Sequence, residues 1–335
     1  MHSRIRFRID GGSVKKIRRN DLRNRRVVSS WAATSLVLLA ILVVSTSQRA
    51  HAAACCISAT SFGVGRLLIW EDFAGGLQLG HARTVGQWGP NDSLHWNPDG
   101  YSEGITQMQP WAIVRLHQRV QLQAWVPILI NDRWQGSVHQ VAGGFGDIGA
   151  AVRFELLSIG AFRGFPSFAV TLGGIAPTGR RVEQTSPPLF AGTTGRGSWG
   201  GSLAIESEYA FFPWFVRLDA SVSGFLSFRR PDTGQSEEYG PLARVGLSTG
   251  REIVPGKLVA ALAVLGEWEG RVSVNGATVP GSDSYLYSLA GSLSWRFDPH
   301  WTLVGTVANS VWPDGFGMNQ DARIGFTLGG RYGHF

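Results

Sequence analysis

The sequence contains little cysteine and methionine and, after residue 52, almost no lysine. Its two cysteines, Cys55 and Cys56, are adjacent, so they cannot staple distant parts of a fold, and no Cys-x-x-Cys or zinc arrangement exists. Lys257 is the single lysine beyond residue 52. Soluble β-sandwiches and lipocalin-like barrels expose faces rich in lysine and glutamate, so this scarcity argues against a soluble β-fold.

Other absences exclude further classes of protein. After the first 52 residues no segment offers the ~18 continuous apolar residues of a membrane-spanning helix. No two histidines have metal-ligand spacing and no phosphate-binding loop is present. We therefore expect no cofactor, no metal site and no enzymatic activity.

The basic charge is concentrated at the N-terminus. Of the 31 Lys and Arg residues, eleven fall in residues 1–52, which hold only two of the 24 acids, so the net charge of +7 does not describe the rest of the chain. Nucleic-acid binding thereby loses its support. A basic stretch up to Arg26, an apolar run over 31–44 and the small residues of Ala50-His51-Ala52 predict a cleaved signal peptide over 1–52 for the general secretory route. The alternative is a retained N-terminal anchor.

Residues 53–68 are predicted to form a short periplasmic segment before a domain over 69–335. Cys55 has two interpretations. One is an unmodified cysteine in an exposed tail, and the other is lipidation, with Ala52-Ala53-Ala54 as a lipobox that lacks its usual leucine.

What the sequence has in quantity is glycine and aromatic residues arranged with a period of two. It contains 44 Gly, 13 Trp and 18 Phe. From Tyr285 to Phe297 the odd positions are mostly large and apolar, whereas the even positions are mostly small or polar. Successive side chains of a strand point to opposite faces, so this segment predicts a strand with one apolar and one polar face.

The same alternation predicts an all-β fold, a transmembrane antiparallel up-and-down β-barrel of twelve strands. Tight joins alternate with longer ones, as short periplasmic turns and longer external loops do, and an even strand count returns both ends to the periplasm. The predicted strands are 69–84, 105–117, 119–129, 145–157, 166–176, 199–211, 214–228, 238–250, 257–269, 284–297, 300–311 and 321–333.

Aromatic residues cluster near the predicted strand ends, as in the two interfacial girdles of a membrane barrel. Phe211, Phe212 and Trp214 flank one tight turn, and Trp268 and Tyr285 lie toward the long loops. The chain ends in Phe335, which resembles the C-terminal signal read by the outer-membrane barrel assembly machinery. We expect this machinery, outer-membrane lipid and small-molecule solutes as partners in the bacterial outer membrane, and no nucleic acid.

Two short motifs resemble a known family. Residues 144–149 (Gly-Phe-Gly-Asp-Ile-Gly) are similar to its strand opening, and 172–179, ending in Pro177-Thr178-Gly179, are similar to its strand closing. The family is that of outer-membrane transporters associated with the phenol meta-cleavage pathway, distantly akin to fatty-acid channels. The similarity covers roughly 66–335 and implies a barrel that admits hydrophobic or aromatic compounds. Asp147 is expected to cap a turn, and Pro177 to end a ladder, because it cannot donate a hydrogen bond.

Charged residues fall on the polar, lumen-facing register. Glu206 or Glu208 is expected to pair with Arg217, and Arg244 with Glu267. One hypothesis is a selectivity lining for a water-filled path, and the other is a structural set of ion pairs that plugs a narrow barrel. The set consists of Arg115, Arg153, Glu155, Glu206, Glu208, Arg217, Asp219, Arg244, Glu267 and Arg296.

The predicted function is passive passage of small, hydrophobic or aromatic solutes. One alternative is a structural or surface-display barrel, whose long loop 177–198 folds inward or meets a partner. The other is an outer-membrane hydrolase, for which Asp92-Ser93-Leu94-His95 supplies the ingredients. That stretch lies in an external loop and lacks the His-x-Ser-Asn-Gly signature of such enzymes.

Overall fold

The computed structural model describes residues 65–159 and 164–335. The predicted signal peptide, most of the predicted periplasmic segment and Cys55 lie outside these ranges. Within them the chain forms a closed barrel of 12 antiparallel strands. The same part of the chain contains no helix long and apolar enough to cross a membrane.

The barrel strands follow one another in chain order, each paired with its neighbours, and β1 closes the barrel on β12, with Phe73 opposite His334. Strands β3 and β4 are each interrupted by two residues. The strands are β1 (Phe73–Trp88), β2 (Tyr101–His117), β3 (Val120–Trp125 and Ile128–Gln135), β4 (Val138–Phe145 and Ile148–Leu157), β5 (Ser167–Ala176), β6 (Gly200–Phe211), β7 (Trp214–Phe225), β8 (Leu242–Val254), β9 (Leu258–Glu269), β10 (Ser284–Arg296), β11 (Trp301–Asn309) and β12 (Asp321–His334).

Most connections at the end where β1 begins are short, the one from Leu157 to Ser167 being the exception, and most of those at the other end are longer, which orients the short-turn end toward the periplasm. We name the external loops L1 (89–100), L2 (136–137), L3 (177–199), L4 (226–241), L5 (270–283) and L6 (310–320). L3 contains one 3-10 turn, Val182–Gln184. Short strands from L4 and L5 build a separate four-stranded sheet, and L1 and L6 add strands Leu94–Trp96 and Gly317–Met318 to the barrel wall.

The alternation predicted from the sequence determines which face of each strand is apolar. The outward side chains of Leu218, Leu262 and Phe326 are 48%, 60% and 58% exposed, whereas the intervening positions are buried or small. Apart from the first segment of β4, the backbone polar groups of the wall are satisfied by the ladder between neighbouring strands, and this apolar exterior is solvated by lipid. Because such barrels are structures of the bacterial outer membrane, the chain is an outer-membrane protein.

Several predictions of strand position were wrong: the second, seventh and eighth strands, predicted over 105–117, 214–228 and 238–250, are Tyr101–His117, Trp214–Phe225 and Leu242–Val254. β1 begins at Phe73 rather than at 69, because Ile69 and Trp70 belong to a turn. The predicted loop over 130–144 is a hairpin that extends β3 and β4, joined by the two residues of L2. Its alternation is hidden because both faces carry polar side chains, such as Arg133 inside and Asp132 outside.

Candidate functional site

A segment that precedes the first strand crosses the periplasmic end of the lumen. This inner segment (residues 65–72) spans from β12 to β6, which are six strands apart and therefore on opposite walls. Glu71 forms a buried ion pair with Arg331 on β12, with one hydrogen bond of 2.7 Å. Arg66 forms another with Glu208 on β6, at 2.8 Å. The inner segment is thus tied by charge to both walls.

Apolar packing and side-chain hydrogen bonds to the backbone hold the inner segment between these two ion pairs. Leu67 packs against Ala74, Trp111 and Ile113 in a buried cluster inside the barrel. Arg115, on the inner face of β2, donates to the Leu68 carbonyl at 2.6 Å and to the Glu71 carbonyl at 2.8 Å. Hydrogen bonds to two of its carbonyls and the burial of Leu67 therefore hold the inner segment in place, so it closes the periplasmic end of the lumen as a packed element.

Above it, an ion-pair network lines the wall from β4 to β7. Glu206 accepts a hydrogen bond from Arg153 and forms an ion pair with Arg217, each at 3.3 Å. Arg153 also contacts Glu155 at 2.6 Å, and Arg217 lies 3.8 Å from Asp219. Both arginines are nearly inaccessible to solvent, at 3% and 4% exposed. The charges are held in a compact, mutually neutralising group.

L3 folds inward and narrows the external end of the lumen. Asn131, on the inner face of β3, donates to the carbonyls of Ala191 and Thr193, both at 2.7 Å. Arg133 donates to Leu189 at 2.7 Å while it pairs with Glu103 on β2 at 2.9 Å. Of the two alternatives that the sequence left open for this loop, folding inward or meeting a partner, the structure shows the first, so the lumen is occupied from both ends.

The rim of L3 is attached to the external loops by arginines. Arg196 forms a bidentate ion pair with Glu269 at the end of β9, and its guanidinium lies 4.7 Å from the Phe225 ring. Arg181 lies 4.1 Å above the Phe228 ring in L4. Such contacts hold a loop through charge and ring stacking without a continuous ladder.

The two family-like motifs meet at the base of L3. Asp147, between the two segments of β4, accepts the backbone N–H of Gly179 at 2.9 Å and of Arg196 at 2.7 Å. Thr178 donates to the Gly146 carbonyl at 2.6 Å and accepts from the backbone of Ile148 at 3.0 Å. Asp147 therefore caps a turn, as expected, and fixes both ends of the loop.

Replacing Asp147 with alanine should release L3 in the folded barrel. Two backbone N–H groups would lose a charged acceptor, and hydrogen bonds to charged groups contribute about 1.5–3 kcal/mol each. We expect trypsin to cleave at Arg180 or Arg196 about tenfold faster or more. Asp232→Ala is the matched control, because Asp232 bonds only within L4, to Arg230 and Thr233. Equal cleavage of the two variants would contradict this role for Asp147.

The remaining predicted site residues are distributed around the wall. Arg244 pairs with Glu267 between β8 and β9, as predicted. Glu206 is the predicted partner of Arg217, whereas Glu208 is taken by the inner segment. Arg296 lies on the inner face of β10 near the periplasmic end, outside the network just described. Further charged residues that hold the inner segment and L3 lie outside the lumen-facing set predicted from the sequence; these are Arg66, Glu71, Glu103, Arg133, Arg196 and Arg331.

The candidate hydrolase residues do not form a relay. Ser93 Oγ and His95 Nε2 lie 2.9 Å apart at the exposed surface of L1. The Asp92 side chain instead hydrogen-bonds Tyr285. Within the part of the chain that the structure describes, no carboxylate orients the imidazole of His95, so the geometry does not favour nucleophilic catalysis.

The barrel wall has a free edge beside L3. The segment Val138–Phe145 of β4 pairs only with β3, because β5 ends at Ala176 before Pro177. Side chains of L3 cover this edge: Arg180 donates to the Gly143 carbonyl, and Thr194 donates to the Phe145 carbonyl at 2.7 Å. The wall here is closed by side-chain hydrogen bonds rather than by a ladder.

Comparison with known proteins identifies the fold. No family model and no curated protein matches the sequence. Among solved structures, an outer-membrane channel from Pseudomonas putida F1 is similar, with 13% identity over 78% of this chain and 95% of that one, at a TM-score of 0.64. The β-domain of the Bordetella autotransporter BrkA shares 15% identity over 78% and 99% of the chains, at 0.44. A variant of the TodX monoaromatic hydrocarbon channel shares 8% over 79% and 91%, at 0.41. The chain thus has the fold of a bacterial outer-membrane barrel.

Proposed function

We propose that this barrel lets small hydrophobic or aromatic solutes cross the outer membrane by passive diffusion, and that they pass sideways through the wall between β4 and L3. The free edge of β4 supports this route. Opening it breaks hydrogen bonds from Arg180 and Thr194 instead of a strand ladder. On its inner side, Gly192 of L3 lies against Ala142. Small, apolar groups at this position suit a hydrophobic solute, which does not need a water-filled path.

A route through the wall also agrees with the closed lumen. Hydrophilic solutes need a continuous aqueous channel, whereas the inner segment and L3 occupy the two ends of this one. A hydrophobic solute needs only the external half of the lumen and the gap beside Phe145, whose side chain is exposed to lipid. Passage into the bilayer then requires movement of L3 alone.

The test is uptake of naphthalene into vesicles with lipopolysaccharide in the outer leaflet, which slows unassisted entry. We expect the barrel to raise naphthalene entry over protein-free vesicles, and Arg180→Ala to raise it several-fold further, because one closing contact is lost. Sucrose entry should stay unchanged in both. Arg229→Ala is the control, since Arg229 bonds only to Gly234 within its own loop.

Two results would refute the proposal. Naphthalene entry equal to that of protein-free vesicles, in wild type and in Arg180→Ala, would favour the structural barrel. That alternative is supported by the buried ion pairs around Glu206. A parallel rise of naphthalene and sucrose in the variant would show an aqueous path instead of a lateral one.

A further inference from the structure

The outer face of the barrel carries a polar patch on β1 to β4, surrounded by apolar side chains. His81 and Arg83 lie on the outward register of β1, Thr106 on β2, Asp132 on β3 and His139 on β4. We call these five residues the outer polar patch. Charged groups on the lipid side of a barrel are far more costly at the bilayer midplane than near the interface. Their height in the membrane therefore decides what surrounds them.

The patch lies at the level of the outer-leaflet headgroups. Arg83 is ten residues beyond Phe73, the periplasmic start of β1. At about 3.3 Å per residue and a tilt of roughly 40°, this distance corresponds to about 25 Å along the membrane normal. The apolar band of such barrels is about 25 Å tall. Arg83 consequently stands where hydrocarbon gives way to headgroups.

The patch surrounds a notch. Gly104 lies opposite Arg83 on one side and opposite Asp132 on the other. Glycine makes room there for the His81 ring, since a Cβ at Gly104 would lie 3.3 Å from His81 Cε1 and 4.0 Å from Asp132 Cβ, and a larger side chain would displace that ring. His81 is oriented by Thr106, with its Nδ1 3.0 Å from the hydroxyl oxygen.

The charged side chains of the patch differ in the partners that they have within the protein. Asp132 is bonded by His139 at 2.8 Å, and the His139 ring stacks on Trp134 at 3.7 Å. In contrast, no acidic side chain within 65–159 or 164–335 lies at ion-pair distance from Arg83. Ile324 and Phe326 on β12 and Ile130 on β3 flank the notch with exposed apolar side chains.

We infer that the outer polar patch binds an outer-leaflet lipid whose headgroup is a phosphorylated sugar. The Arg83 guanidinium matches a phosphate in bidentate geometry. The second carboxylate oxygen of Asp132 and Nε2 of His81 fit sugar hydroxyls, which both donate and accept hydrogen bonds. Acyl chains then lie along Ile324 and Phe326 on one side and Ile130 on the other. A phosphoglyceride would leave the sugar contacts unused.

The test is titration of fluorescent lipid A into the purified barrel in maltoside micelles. Arg83→Gln removes the phosphate contact, and Gly104→Leu fills the notch without removing a charge. We expect Arg83→Gln to bind lipid A about tenfold more weakly, the effect of losing one charge-assisted contact, and Gly104→Leu to bind it more weakly because the leucine side chain occupies the space of the sugar. Arg271→Gln is the control, because Arg271 is an exposed arginine of L5 engaged by Asp283 at 2.9 Å, a hydrogen bond that lowers the pKa of Asp283. Folding is verified by the mobility shift of the barrel on heating.

Comparison ligands distinguish a site for lipid A from a site for any anionic lipid or for a free anion. Dephosphorylated lipid A and phosphatidylglycerol should both bind the wild type at least tenfold more weakly than lipid A. Equal binding of dephosphorylated lipid A, or no loss of affinity in Arg83→Gln, would overturn the phosphate contact. Equal binding of phosphatidylglycerol, or unchanged affinity in Gly104→Leu, would overturn the sugar notch. Displacement of lipid A by millimolar inorganic phosphate would show an anion site in place of a lipid site.

Discussion

Replacing Glu71 with alanine should give the barrel discrete conductance steps that are larger and more frequent than those of the wild type. The Glu71 side chain is 1% exposed and accepts from Arg331 and from the Leu68 backbone. Removing one partner of a buried ion pair costs about 3–5 kcal/mol, because the other charge is left uncompensated. Release of the inner segment relieves this cost, since Arg331 then meets water.

The barrel itself should stay folded in this variant. The inner segment precedes β1 and contributes no strand to the ladder, so it can detach as a local opening while the wall remains intact. A change of about 3 kcal/mol alters the ratio of detached to attached segment by more than a hundredfold. Planar-bilayer recordings measure the conductance, and trypsin cleavage after Arg66 reports the detached segment.

Asp72 provides the matched control for this experiment. It is adjacent to Glu71, yet its side chain is 74% exposed and lies 3.9 Å from Arg115. Exposed pairs of this kind contribute little to stability. Asp72→Ala should therefore conduct and resist trypsin like the wild type. If Glu71→Ala and Asp72→Ala behave alike, the inner segment is not held by its buried ion pair.

The sequence predicted the fold well wherever lipid and lumen impose different chemistry on the two faces of a strand. In β10, for example, Leu289, Leu293 and Trp295 alternate with Ser292 and Ser294, and the structure exposes the first set and buries the second. The same logic predicted the pair Arg244–Glu267, because neighbouring strands bring inward side chains together. Period-two alternation is a local signal, so it predicts the orientation of side chains within a strand and the contacts between neighbouring strands.

The missed features depend on contacts that alternation does not encode. Arg66 and Glu208 are 142 residues apart in sequence, and Arg66 precedes the first strand, so no periodic pattern marks it. In the hairpin of β3 and β4, Asn131 is polar because it binds L3 from inside, while Asp132 is polar because it faces the outer interface. With both faces polar, the period of two disappears, and the sequence resembles a loop.

Replacing Arg217 with serine should lower the free energy of unfolding by about 3–5 kcal/mol and leave the reversal potential in a salt gradient unchanged. Arg217 contacts Glu206 and Asp219, so its loss leaves their carboxylates buried with fewer partners. Arg296→Ser is the control, because Arg296 is an inward arginine outside this network. Thermal unfolding in detergent measures the free energy of unfolding, and planar-bilayer recordings measure the reversal potential.

A selectivity lining requires the opposite result, a shifted reversal potential with little change in stability. The double variant Arg217→Ser with Glu206→Gln should be more stable than Arg217→Ser alone, because removing the opposite charge offsets the loss of the arginine. This recovery would show that the stability of the network depends on charge neutralisation.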